Sequence, residues 1–103
     1  MSKPVVVTIP HQLGRAEARR RIEQGVTQLV SQIAAVGEMK QAWEGDVLRF
    51  SLQAIGQTVS GHIAVGEQEV RLEVILPGIL AMIANKVKGR LRQEGQILLE
   101  HKR

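Results

Sequence analysis

At 103 residues the chain suits one domain around one core, and a hydrophobic fraction of 44% is enough to fill it. Aromatic residues make up only 2%, so that core is aliphatic, and the absence of cysteine excludes disulfides and thiolate metal sites. The longest apolar runs fall well short of the roughly 20 residues of a membrane span, while a net charge of +4 and a pI near 10.1 lean toward an anionic partner.

In chain order, VVVTI (5–9) is a β-branched run closed by Pro10 and predicts a first strand. The segment GRAEARRRIEQGVTQLVSQIAAVG (14–37) predicts a helix. Its apolar residues Ala18, Ile22, Val26, Leu29, Val30 and Ile33 recur every three or four positions and form one stripe. Gly14 serves as N-cap, Glu17 lies near the positive end of the helix dipole, and Gly37 is placed as the residue that ends the helix. Gly25, in mid-helix, marks a point of close packing.

The period then changes from 3.6 to 2. MKQAWEGD (39–46) predicts a strand that turns at Gly45–Asp46. In VLRFSLQA (47–54) Leu48, Phe50, Leu52 and Ala54 face one way and Arg49, Ser51 and Gln53 the other. QTVSGHIAVG (57–66) and EVRLEVIL (69–76) alternate in the same manner, joined at Gly56 and Gly66–Glu67 by connections short enough for hairpins. Pro77–Gly78 ends this meander. A second helix follows over 79–95, with Leu80, Ile83, Ala84, Val87 and Leu91 as its stripe; residues 96–103 either extend it or peel away as a tail.

These elements predict a single α+β domain over 1–103. It is a two-layer sandwich in the order β-α-β-β-β-β-α, with both helices on the apolar face of an antiparallel meander. Strand order is not readable from the pattern.

Chemistry-bearing residues are few. His11 lies in the turn between the first strand and helix, where a ligand-binding group or a capping ring would sit. His62 falls on the polar face of its strand and His101 in the tail, and three separated histidines make no metal site. Ser2, Ser31, Ser51 and Ser60 lie in no nucleophile elbow, and the glycines form no dinucleotide fingerprint or P-loop. The expectation is a non-enzyme without cofactor. At 100° per residue Arg20 faces away from the stripe of the first helix, whereas Arg15 and Arg19 fall within or beside it. A guanidinium there needs a carboxylate, an aromatic face or an anionic ligand, and Trp43 with the Glu44–Asp46 turn could supply the first two. His11, Arg15, Arg19 and Trp43 are therefore the candidate ligand or partner site.

Together VTIPHQLGRAEARRRIE (7–23), Trp43, GHIAV (61–65) and LPGILAMIANKVKGRL (76–91) resemble the polyhydroxyalkanoic acid system proteins, the polyhydroxyalkanoate granule-region family. The resemblance runs from Val5 to Leu91 and rests most on His11–Leu13, Ala16–Arg19, Trp43 and Leu76–Pro77. It implies a bacterial, cytoplasmic protein tied to storage-polyester granules or their metabolism; a non-catalytic accessory protein that binds the granule surface or another granule protein is the leading expectation. Ile75, Ile79, Met82, Ile97, Leu98 and Leu99 are the apolar candidates for such contact; packing of the tail on the domain itself or on a second copy, as a homo-oligomer, is the alternative. Two other functions fit the residues: a basic nucleic-acid-binding module, and a small-ligand binder with a pocket between helices and sheet near His11, Arg19 and Trp43. The first has four cations in each helix but little aromatic surface on which bases could stack.

Overall fold

The computed structural model describes residues 2–33, 37–54 and 56–99. Five strands, β1 (Ser2–Pro10), β2 (Gly37–Glu44), β3 (Val47–Ala54), β4 (Gln57–Val65) and β5 (Glu69–Pro77), form one sheet. Helix α1 (Arg15–Ile33) follows β1, and a 3-10 turn (Gly78–Ile83) leads from β5 into helix α2 (Ala84–Leu99). The order β-α-β-β-β-β-α and the two-layer α+β architecture are as the sequence predicts. Every ladder is antiparallel, and the spatial order is β1-β5-β4-β3-β2. Strands β2 to β5 are a simple meander; β1 and β2, consecutive in sequence, are the two edges, and α1 carries the chain between them.

Register explains the single core. Val7, Leu72, Ile63, Leu48 and Trp43 pair in one row across all five strands. Neighbouring rows hold Val5 with Val74 and Ile9 with Val70, so these apolar positions share one face. Ala18, Ile22 and Val26 of α1 and Ala84 and Leu99 of α2 are buried against that face. Leu29, Val30 and Ile33 of the predicted stripe lie outside the described side chains.

Three expectations are corrected, and the open alternative for the tail is resolved in part. Strand β1 runs past 5–9 to both prolines, because β5 pairs with it from Ser2↔Pro77 to Pro10↔Glu69, and an edge strand tolerates proline. Gly37 does not terminate the helix; it opens β2 opposite Ala54, while 34–36 lie outside the described residues. Ile83 leaves the predicted stripe of the second helix and is exposed, since residues up to it follow the tighter 3-10 winding rather than 3.6 residues per turn. Of the tail, residues 96–99 extend α2, and Leu99 is buried at its end; 100–103, with His101, lie outside the described residues.

Two glycines set how closely the helices approach. A Cβ on Gly25 would come within 2.8 Å of Leu98 Cδ2, which places the α1–α2 contact at the point the sequence marks. A Cβ on Gly95 would overlap the Cδ1 of Ile9, a buried β1 residue, so α2 seats on the sheet through a residue without a side chain. Gly89, earlier on α2 than Gly95, has nothing near it.

Candidate functional site

The turn after β1 is built around His11. Its backbone N–H donates to the Gln68 carbonyl (2.9 Å), which continues the β1–β5 pairing one step past the strand. The ring is buried. Nε2 lies 3.1 Å from the Gly66 carbonyl oxygen, which can only accept, so Nε2 carries the hydrogen. Nδ1 in turn accepts from the Leu13 N–H at 3.2 Å. Both nitrogens are thus committed to the backbone, and His11 ties the β1–α1 turn to the β4–β5 hairpin.

Gly14 follows with φ of 80°, a conformation that favours glycine, and its carbonyl accepts the first helical bond from Ala18 N–H at 3.0 Å. Arg15 begins α1 beside the same hairpin. Its N–H donates to Glu67 Oε1 (3.3 Å), and its Nε lies 3.4 Å from Asp46 Oδ2 and 4.0 Å from Glu67 Oε2. The guanidinium is half exposed rather than inward, because carboxylates from two hairpin turns hold it at the rim.

Arg19, one helical turn on, has its guanidinium carbon 4.3 Å from the centroid of the Trp43 ring. Trp43 ends the apolar row on edge strand β2, where no further strand covers it, and the arginine lies over its face. Arg20 and Arg21 both bond Glu17, at 2.6 and 2.9 Å. Those charge-assisted bonds hold the Glu17 carboxyl down from its ordinary 4.5 to about 2, with the Arg20 bond the larger cause.

The four predicted site residues therefore fall into two adjacent contacts. His11 and Arg15 meet the hairpin at 66–67; Arg19 meets Trp43. An open groove of about 880 Å³ borders the first of these, lined by residues that include His11, Gln12, Glu67, Gln68, Gln96 and Leu99, and its lining includes neither Arg19 nor Trp43. Glu67 is the participant that sequence reading missed. It lies 52 positions from Arg15, and only the register of β4 and β5 brings the two together.

The polar sheet face places His62 opposite Glu73, with Nε2 3.7 Å from Oε1, and both side chains are half-buried rather than fully exposed. Among the described residues no cluster of three histidines or carboxylates could hold a metal ion, and no helix is long and apolar enough to cross a membrane. The large apolar side chains left exposed among them are Met82, Ile83 and Ile97. Ile75 and Leu98 are half-buried and Leu99 is buried; the side chain of Ile79 lies outside the described set.

The fold and its clamped N-terminal turn thus define a small α+β domain with a conspicuously basic C-terminal helix. The family of polyhydroxyalkanoic acid system proteins matches residues 5–99, and the chain belongs to that family. No curated protein and no solved structure matches it.

Proposed function

We propose that this protein is a non-catalytic accessory component of the polyhydroxyalkanoate system, acting by binding the granule surface or another granule protein. Family membership supplies the setting. The observation that carries a binding role is the exposure of Met82, Ile83 and Ile97, the large apolar side chains left exposed among the described residues, Met82 at 82%. The residues best suited to chemistry are spent on structure: His11 on two backbone bonds, Arg15 on Asp46 and Glu67, Arg19 on Trp43.

Density-gradient fractionation of polymer-accumulating cells tests this reading. The protein is expected with the polymer band, and in the soluble fraction of cells that make no polymer. Recovery from the soluble fraction alone, with polymer present, contradicts it.

A further inference from the structure

The outward side of α2 is where apolar and cationic groups coincide. At 100° per residue Lys86, Arg90, Gln93 and Ile97 fall within about 60° of one another, opposite Ala84, Leu91 and Gly95, which face the core. Exposed Ile97 (57%) lies near one end of this ridge, and exposed Met82 (82%) and Ile83 (44%) immediately precede the other. Lys86 to Ile97 spans about 17 Å at the α-helical rise.

Charge on the helix is almost all of one sign but is not confined to this ridge: at 100° per residue Lys86 and Arg90 lie on it, whereas Lys88 and Arg92 lie about 130–170° from its centre. Lys86, Lys88, Arg90 and Arg92 are all exposed, and Glu94 is the one acidic residue of Ala84–Leu99. Arg90 bonds Glu94 at 3.2 Å, whereas Lys86, Lys88 and Arg92 have no ion-pair partner among the described residues. No carboxylate occupies the first turn of α2, where Lys86 stands near the positive end of the helix dipole. An external anion relieves both repulsions.

We infer that the outward face of α2, with Met82 and Ile83 at its head, docks on a layer of anionic amphiphiles, lipid headgroups taking Lys86 and Arg90 while Met82 and Ile97 enter the acyl boundary. This deepens the granule-binding reading and rests on it. Apolar groups at both ends of a row of cations suit a flat, deformable interface, since lysine and arginine stems can lie along it and send their charges to the headgroups. A nucleic-acid backbone would engage the cations and leave Met82, Ile83 and Ile97 in water. A second copy would bring like charge against like.

Flotation of the purified full chain tests it, with vesicles of phosphatidylcholine alone and vesicles part-replaced by phosphatidylglycerol. The expected result is flotation with the anionic vesicles only, weakened by salt. K86Q, on the docking face, loses about five-fold in affinity, from about 1 kcal/mol per cation near an anionic surface, while K88Q, on the opposite side of the helix, loses less. M82S/I97S loses roughly ten-fold through its lost apolar contact. R20Q, in the paired cluster of α1, binds as the wild type does, and all the variants keep the wild-type circular dichroism because every altered side chain is exposed.

Absence of flotation, equal flotation with neutral vesicles, or equal losses in R20Q overturns the inference. So does tight duplex DNA binding that M82S/I97S retains, or self-association that M82S/I97S abolishes. Co-fractionation with polymer but no vesicle flotation retires this surface and leaves granule binding standing; flotation by a protein that stays soluble in the gradient does the reverse.

Discussion

Helices α1 and α2 each carry four cationic side chains, and the domain treats them in opposite ways. In α1, Arg15 reaches Asp46 and Glu67, Arg19 lies on Trp43, and Arg20 and Arg21 share Glu17. The basic run that dominates the N-terminal sequence is thus answered by carboxylates and a ring from α1 itself, from the β2–β3 and β4–β5 turns and from edge strand β2. In α2, among the described residues, Glu94 alone answers, and it answers only Arg90. A count of basic residues would give the two helices equal weight as anion-binding surfaces; the partners around them are the reason the proposal falls on α2. Local charge density in a sequence is a poor guide to the charge a partner meets, because folding brings counter-charges from distant segments.

Substitutions can break or sharpen this contrast. The largest effect is expected on the α1 side. His11→Ala removes the side-chain partner of the half-buried Gly66 carbonyl and of the Leu13 N–H and should cost about 2–3 kcal/mol in urea unfolding. A loss below about 0.5 kcal/mol, the level of an ordinary surface change, would mean that the ring is no clamp.

Next comes the seating of α2. Gly95→Ala gains helix propensity but drives a methyl into buried Ile9, for a net loss of about 1–2 kcal/mol. Arg19→Ala removes the cation–π contact with Trp43 and should cost about 1 kcal/mol, with a change in tryptophan fluorescence. Gly89→Ala, in open space on the same helix as Gly95, should stabilise by about 0.5–1 kcal/mol. Opposite signs at 89 and 95 are the mark of a helix that packs on one side and is free on the other; equal signs would contradict that placement.

The smallest effect is electrostatic. Glu17 has its folded carboxyl lowered from 4.5 to about 2. Its stabilising contribution is therefore complete above about pH 4.5 and is lost as pH falls toward 2. Glu17→Gln should flatten the acid limb of the stability profile in that window and leave the profile at neutral slope. An unchanged acid limb would remove the Glu17 clamp from the account of α1.

Much of the fold was legible because its signal is local. Alternation in 47–54, 57–66 and 69–76, bounded by glycines and Pro77, defines β3 to β5 almost to the residue, and Gly25 marks the helix contact. The placement of Arg19 beside the apolar stripe pointed to Trp43 by the same periodicity. What could not be read depends on register or winding. His11 finds its carbonyl 55 residues away, and Arg15 finds Glu67 only once β4 and β5 pair. Ile83 fits the stripe on an α-helical wheel and leaves it because the chain winds as a 3-10 turn there. The overlap of Gly95 with Ile9 likewise needs the sheet in place, since nothing in the α2 sequence separates Gly95 from Gly89.

The central claim, that α2 carries the contact while the cations of α1 serve the fold, is tested most directly by fractionating polymer-accumulating cells that express either of two variants. R15Q/R20Q alters exposed, internally paired arginines of α1; K86Q/K88Q/R92Q alters the exposed cations of α2 that lack an ion-pair partner among the described residues. The account predicts that R15Q/R20Q stays with the polymer band and K86Q/K88Q/R92Q moves to the soluble fraction. The opposite distribution, or both variants remaining with the polymer, would contradict it.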